Sequence, residues 1–147
     1  MKIRAAVVDD LDVWVAMRQA LWPEESADEL RADAEAFFQD RGWRAATLLC
    51  EDEAGRAVGM IELSLRSYAE GCDSSPVPFV EGWFVVPDAR RRGIGRALVA
   101  AAEVWARERG HREIASDTQL WNTDSQAAHL ALGFEEAERA VHYRKSL

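Results

Sequence analysis

The chain has 147 residues, 48% of them hydrophobic, and carries 26 acidic against 18 basic side chains for a net charge of −8. That length suits one domain, residues 1–147, with a core of its own. No run of roughly eighteen apolar residues is present to form a membrane-spanning helix, and the acidic balance speaks against a general nucleic-acid binder.

Residues 3–8 read as a short strand. Asp9 and Asp10 are helix-capping residue types, and Leu11, Trp14, Val15, Arg18, Leu21 and Trp22 follow at helical spacing until Pro23. Ser26 with Glu29 forms a capping-box pattern for a second helix through about Gln39. Residues 45–52 and 57–66 read as strands joined by a turn at Glu53-Ala54-Gly55-Arg56, and 67–78 as an irregular loop. Residues 79–86 are apolar on both faces except for Glu81 and Gly82, the pattern of a buried central strand. A helix over about 93–109 has Ile94, Leu98, Ala101, Ala102 and Trp105 as its inner stripe and Gly110 as its stop. A strand near 112–118 follows. Thr123 and Gln126 cap a short helix ended by Gly133, and residues 134–146 supply the last strand or strands. The expected order is β-α-α-β-β-β-α-β-α-β, a mixed α/β (α+β) domain with parallel and antiparallel pairings.

The N-terminus, Met1-Lys2-Ile3-Arg4, has no apolar signal-peptide block, so the expected compartment is the cytoplasm. Cys50 and Cys72 are too few for a disulfide framework and lack metal-ligand spacing, and His111, His129 and His142 form no close ligand pair; no metal site is expected. The acidity suits a cationic small-molecule partner wherever carboxylates gather.

Val85-Val86-Pro87-Asp88-Ala89-Arg90-Arg91-Arg92-Gly93-Ile94-Gly95-Arg96 runs against that acidity. A helix start has unpaired N–H groups and a partly positive end; glycines admit an anion to the backbone and arginines add charge. The stretch is a candidate pyrophosphate cradle, though its spacing matches neither the Walker pattern nor the dinucleotide fingerprint. Glu81 is a carboxylate in an apolar strand, so its burial demands a donor or a cation, and Asp117 ends a similar strand.

Arg90-Arg91-Arg92-Gly93-Ile94-Gly95 resembles the Arg/Gln-x-x-Gly-x-Gly/Ala motif of the GNAT superfamily of acetyl-CoA-dependent N-acetyltransferases, and Val85-Val86-Pro87, Asn122 and Leu132-Gly133-Phe134 fit the same family. The resemblance implies a mixed central sheet with splayed strands flanked by helices, with the splay starting at Glu81-Gly82. It implies acetyl-CoA as co-substrate, held by Arg91, Arg92, Gly93, Ile94, Gly95, Arg96 and Asn122, with the pantetheine arm along Trp83, Phe84 and Val85.

Leu21-Trp22-Pro23, Gly71-Cys72-Asp73-Ser74-Ser75-Pro76-Val77, Phe79-Val80-Glu81-Gly82, Ala115-Ser116-Asp117-Thr118 and the run from Gly133 to Arg139 are similar to the aminoglycoside 6′-N-acetyltransferases. That similarity implies substrate contacts at Trp22, Tyr68, Glu81, Asp117 and Glu138. Taken alone, Trp22 reads as core packing at a helix end and Glu138 as a surface charge. Glu81 and Asp117 are the expected acceptors for the amine proton. Many members place a tyrosine, the proton donor to the leaving thiolate, five residues before the Phe of Leu-Gly-Phe. Here that position is His129; Tyr143 is the expected substitute, with His129 as the alternative. The implied activity is transfer of acetyl from acetyl-CoA to the 6′-amine of aminoglycosides, hence antibiotic resistance, by a homodimer. A GNAT acting on a polyamine or protein amine, and a non-catalytic acyl-CoA-binding regulatory module, stay open beside it.

Overall fold

The computed structural model describes residues 1–147. Strand β1 (Lys2–Ala5) leads to helices α1 (Leu11–Leu21) and α2 (Ala27–Phe38). Strands β2 (Arg44–Glu51), β3 (Ala57–Arg66) and β4 (Val77–Val85) follow, then helix α3 (Ile94–Glu108), strand β5 (Ala115–Ser116) and helix α4 (Thr123–Ala131). The strands form one mixed sheet in the order β1-β2-β3-β4-β5. The first four pair antiparallel. β5 runs parallel to β4 and pairs only at Phe79↔Ala115 and Val80↔Ser116.

Strand alternation sends successive side chains to opposite faces. Leu49 and Met60 meet Trp14, Val15, Met17 and Ala34 of α1 and α2 on one face. Cys50, Ile61 and Leu63 meet Ile94, Leu98, Val99 and Ala102 of α3 on the other. The result is helices on both faces of a sheet. The buried stripe of α3 is Ile94, Leu98, Val99, Ala102 and Ala106, turned slightly from the expected one.

A buried charge network joins the first face to its helices. Glu62 is fully buried. Its Oε1 accepts from Trp14 Nε1 at 2.7 Å. Arg18 Nε lies 2.9 Å from Oε1 and Arg44 Nε 2.9 Å from Oε2. Both guanidiniums donate to Asp33 Oδ2 at 2.7 Å. Burial pushes the Asp33 carboxyl up, but Arg44 and Arg18 outweigh it and the net direction is down. Two cations thus meet two anions at the root of α1 and α2, and Trp22 is positioned from there.

Four local expectations need correction. The first strand stops at Ala5. Asp10 stands at the N-cap of α1 as expected, but its side chain makes no capping hydrogen bond. Its carboxylate instead accepts from Arg4 and from the Val7 N–H, which ties the turn to β1. The strand near 112–118 shrinks to Ala115–Ser116. The cap of α4 is Asn122, whose side chain accepts from Ser125 N–H, one residue before the expected Thr123. No strand forms over 134–146, and residues 135–147 take part in no backbone–backbone hydrogen bond. A strand needs a partner edge, and the free edge next in order is the two-residue β5.

Candidate active site

β4 carries the site because its pairing is interrupted on both sides. Toward β3, Gly82 pairs with Glu62 but Val80 pairs with Leu63, so Glu81 is the extra residue of a β-bulge. A bulge re-aims a side chain, and here Glu81 joins the face that already holds Glu62, Ser64 and Arg66. Toward β5, pairing ends at Val80, so beyond it β4 has no strand neighbour on that edge. This is the expected splay, beginning where Glu81-Gly82 predicts.

Gly82 has a steric reason to be glycine. A Cβ there would lie 2.8 Å from Trp22 Cη2 and 3.2 Å from Cζ2. The Trp22 indole therefore rests directly on the bulge, with the Arg18 guanidinium 5.3 Å from its centroid. Beside it opens a cleft of about 400 Å³ between the α1–α2 connection and β4. Trp22 and Trp43 supply flat apolar surface, and Glu25, Glu29, Asp33 and Glu81 supply carboxylates. The cation in the lining is Arg18, which Glu62 and Asp33 already neutralise. The cleft is thus negative with aromatic walls, the composition that receives an organic polycation.

The other end of β4 runs into the arginine–glycine turn. Arg91 has φ 64 and Gly93 has φ 80, so the turn is left-handed at two alternate positions. Such turns draw successive N–H groups toward one point and make an anion-binding concavity. Gly93 is the N-cap of α3 and no side chain caps the helix, leaving its first N–H groups open. Arg91, Arg92 and Arg96 are exposed, and none has an ion-pair partner. A Cβ at Gly95 would lie 3.1 Å from Trp83 Cζ2, so this glycine lets α3 sit against β4. The geometry fits a diphosphate next to an unpaired strand edge.

The description "Acetyltransferase (GNAT) family" belongs to the family model that matches residues 14–134. The chain belongs to this family. It is 47% identical over 146 residues to an aminoglycoside N(6′)-acetyltransferase type 1 of Klebsiella aerogenes, covering 99% of this chain and 96% of the relative. Among solved structures it is similar to AAC(6′)-Iy in complex with the bisubstrate analogue CoA-S-monomethyl-acetylneamine, with TM-score 0.90, 43% identity and coverage of 99% and 98%. It is equally similar in shape to the aminoglycoside 6′-N-acetyltransferase AAC(6′)-IG of Acinetobacter haemolyticus, with TM-score 0.90, 35% identity and coverage of 100% and 99%.

Within this GNAT acetyltransferase, Trp22 and Glu81 lie together in the cleft. Glu81 is not free, however. Ser64 Oγ–H donates to it at 2.6 Å, and Arg66 grips both its oxygens at 2.8 Å. Asp117 is exposed immediately after β5, with no ion-pair partner. Tyr68 is 67% exposed on the loop between β3 and β4. That loop is pinned by Glu113, which accepts from the Asp73 and Ser74 N–H groups and from the Ser74 hydroxyl. These donors hold the Glu113 carboxyl below its usual range, the Ser74 hydroxyl first. Glu138 is exposed on the segment after α4. Asn122 spends its side-chain oxygen on the cap of α4.

The two candidate proton donors differ. Tyr143 is 92% exposed, and its side chain makes no hydrogen bond within the chain. His129 is held from all sides. Its Nδ1 is 2.7 Å from the Ser125 carbonyl oxygen and its Nε2 is 2.7 Å from Ser116 Oγ. A carbonyl only accepts, so Nδ1 carries hydrogen, and in the neutral ring Nε2 accepts from Ser116. Trp83 and Phe134 pack edge-on around it at 5.4 and 5.2 Å. Trp83 Nε1 is buried with no acceptor.

Glu25, Glu29, Asp33, Trp43, Ser64 and Arg66 were not among the sequence-derived candidates. Glu24-Glu25 beside Pro23, and Trp43 in a polar turn, are the local signals by which the cleft could have been found.

Proposed function

We propose that this GNAT acetyltransferase moves the acetyl group of acetyl-CoA onto the 6′-amine of aminoglycosides, and so confers resistance to them. The observation that carries the reading is the arrangement along one strand. An aromatic, carboxylate-lined cleft meets the bulge of β4, and an open anion-binding helix start meets its far end. A polycationic acceptor and a diphosphate-bearing donor can therefore meet over the unpaired edge of β4. The relatives named above, one of them bound to a CoA–aminoglycoside bisubstrate analogue, support the same substrate pair.

In this mechanism Arg91, Arg92 and Arg96, with the N–H groups from Gly93 to Arg96, hold the diphosphate. Trp83, Phe84 and Val85 line the arm that bears the thioester. An alkylammonium must lose a proton before it attacks. Glu81 and Asp117 bind the amine, and Asp117, exposed and unpaired, takes the proton directly or through water. N–H groups of the unpaired β4 edge stabilise the oxyanion. The amine nitrogen bonds to the acetyl carbon, the C–S bond breaks, and the thiolate leaves. The geometry favours His129 over Tyr143 as the source of its proton: a protonated Nε2 donates to Ser116 Oγ, which turns its own O–H toward the sulfur.

Residues 1–147 act as one domain, and the protein works in the cytoplasm, a reading that its two free thiols fit. It works as a homodimer. Residues 135–147 leave their backbone unpaired and expose Val141, Tyr143 and Leu147, which suits a second copy. Light scattering of the purified protein tests this through its mass. The function itself is tested by thiol release from acetyl-CoA with aminoglycosides, polyamines and peptides as acceptors. Turnover with aminoglycosides is expected. Turnover confined to polyamines or peptides assigns another acceptor, and none with any amine leaves an acyl-CoA-binding module. Glu81→Ala and Asp117→Ala should each lower kcat/KM about tenfold or more while acetyl-CoA binding holds; parental turnover in both removes their assigned roles.

A further inference from the structure

Arg66 is in an unusual place for a cation. It leaves the end of β3 on the face that Glu81 joins through the bulge. Nε donates to Glu81 Oε1 and Nη2 to Oε2, each at 2.8 Å, in a two-pronged fork. Its guanidinium lies 3.6 Å from the centroid of the Phe79 ring. Asp117 and Glu70 add attraction to that of Glu81, the largest influence, and together they raise the Arg66 pKa. With the Ser64 hydroxyl on Oε1, three of the roughly four acceptor directions of the Glu81 carboxylate are filled. The guanidinium thus stands among the carboxylates assigned to the substrate amine. Its side chain is 42% exposed while that of Glu81 is 14% exposed, so the guanidinium has solvent to swing into.

The geometry points to Arg66 as a tethered counter-cation: its guanidinium occupies the carboxylate that the acceptor's ammonium must reach, and amine binding displaces it. This rests on the reading that Glu81 receives the acceptor amine. A tethered competitor acts at a fixed, high local concentration, whereas the acceptor acts at its concentration in solution. The apparent affinity falls by the fraction of molecules in which the site is open. An acceptor with one charge regains only the Glu81 contact. One with several charges also reaches Glu25, Glu29 and Asp117 and still binds in a useful concentration range. Arg66 therefore sets a threshold that keeps single-charge amines out of the cleft.

The test is the sign of a KM change. At saturating acetyl-CoA, thiol release is measured with an aminoglycoside bearing a 6′-amine and with 6-amino-6-deoxyglucose, a single-amine probe. Arg66→Gln removes the competing charge, and KM for both acceptors should fall about tenfold, the value for a site open about one-tenth of the time. Arg66→Lys keeps a charge but not the fork, and its KM values should lie between. A structural role for Arg66 predicts the opposite, higher KM and weaker binding. KM values that rise or stay unchanged in Arg66→Gln overturn the proposal. Glu81→Gln separates the two readings: an unchanged aminoglycoside KM there removes Glu81 as the receiver and the proposal with it. A raised KM in Glu81→Gln with no change in the Arg66 variants removes the proposal alone. In the unaltered protein, the Arg66 Nε–H nuclear magnetic resonance signal should shift as aminoglycoside saturates the site. A signal that does not move at saturation overturns displacement even if the variants fail to fold.

Discussion

The contact between Gly82 and Trp22 yields the sharpest structural prediction. Gly82→Ala places a carbon 2.8 Å from Trp22 Cη2 and 3.2 Å from Cζ2. Carbon atoms rest about 3.5–4.0 Å apart, so the indole must withdraw by roughly 1 Å or the strand must yield. Alanine suits the backbone here, because Gly82 is not among the glycines of positive φ. The cost is therefore overpacking alone, about 1–3 kcal/mol. For 147 residues the entropy of unfolding is about 0.3 kcal/mol per degree, so Tm should drop by about 3–10 °C. The wall of the cleft moves too, and aminoglycoside KM should rise about tenfold while that of acetyl-CoA holds. The decisive assay is a double-mutant cycle of Gly82→Ala with Trp22→Ala, read by thermal unfolding. Once the indole is gone, the added methyl group should cost less than about 0.5 kcal/mol. An equal cost with and without Trp22 would refute the steric argument.

Other regions give further expectations. Glu62→Gln leaves the Arg18 and Arg44 guanidiniums buried with only Asp33 as an anion, and should cost about 3–5 kcal/mol, read as a Tm fall of about 10–16 °C; a fall under about 3 °C would show that the network contributes little. Asp33 and Asp10 are both held below the usual carboxylate range, Asp10 chiefly by Arg4. Their contribution is present above the unfolded value near pH 4 and is lost as pH falls through the folded values. The urea midpoint should therefore decline below about pH 4, and less steeply in Asp33→Asn; parallel acid limbs contradict the assignment. His129→Gln and Ser116→Ala should each lower kcat about tenfold, a modest effect because a thiolate leaves readily, whereas Tyr143→Phe should stay within about twofold; the reverse pattern restores Tyr143 as donor.

What was legible in the sequence were features set by neighbours in the chain. β3 fell over 57–66 as expected, because its apolar run is bounded by the Gly55 turn and by a polar loop. α2 began at its Ser26 cap, and the arginine–glycine turn stood where charge and glycine placed it. The splay was legible through the family resemblance, which put its start at Glu81-Gly82, whereas the bulge at Glu81 was not, because it exists only in the pairing with β3. The misses depend on distant partners. β5 and the segment after α4 have strand-like patterns, but a strand exists only where an edge is free to receive it. Glu81 and Arg66 lie fifteen residues apart and meet only through β3–β4 pairing. Glu62 is the instructive case: it interrupts an apolar run as Glu81 does, yet it serves a buried network, since the same local signal has two outcomes that burial decides. Glu29 and Asp33 of the cleft sit on α2 and Glu25 on the turn before it, where sequence alone reads them as solvated charge.

The most direct test of the account is the position of the acetyl group in the product. Purified protein with acetyl-CoA and an aminoglycoside carrying several amines should release one thiol per acceptor, and nuclear magnetic resonance of the product should place the acetyl group on the 6′-nitrogen. Acetylation of any other amine, or no thiol release with an acceptor that binds, would contradict it.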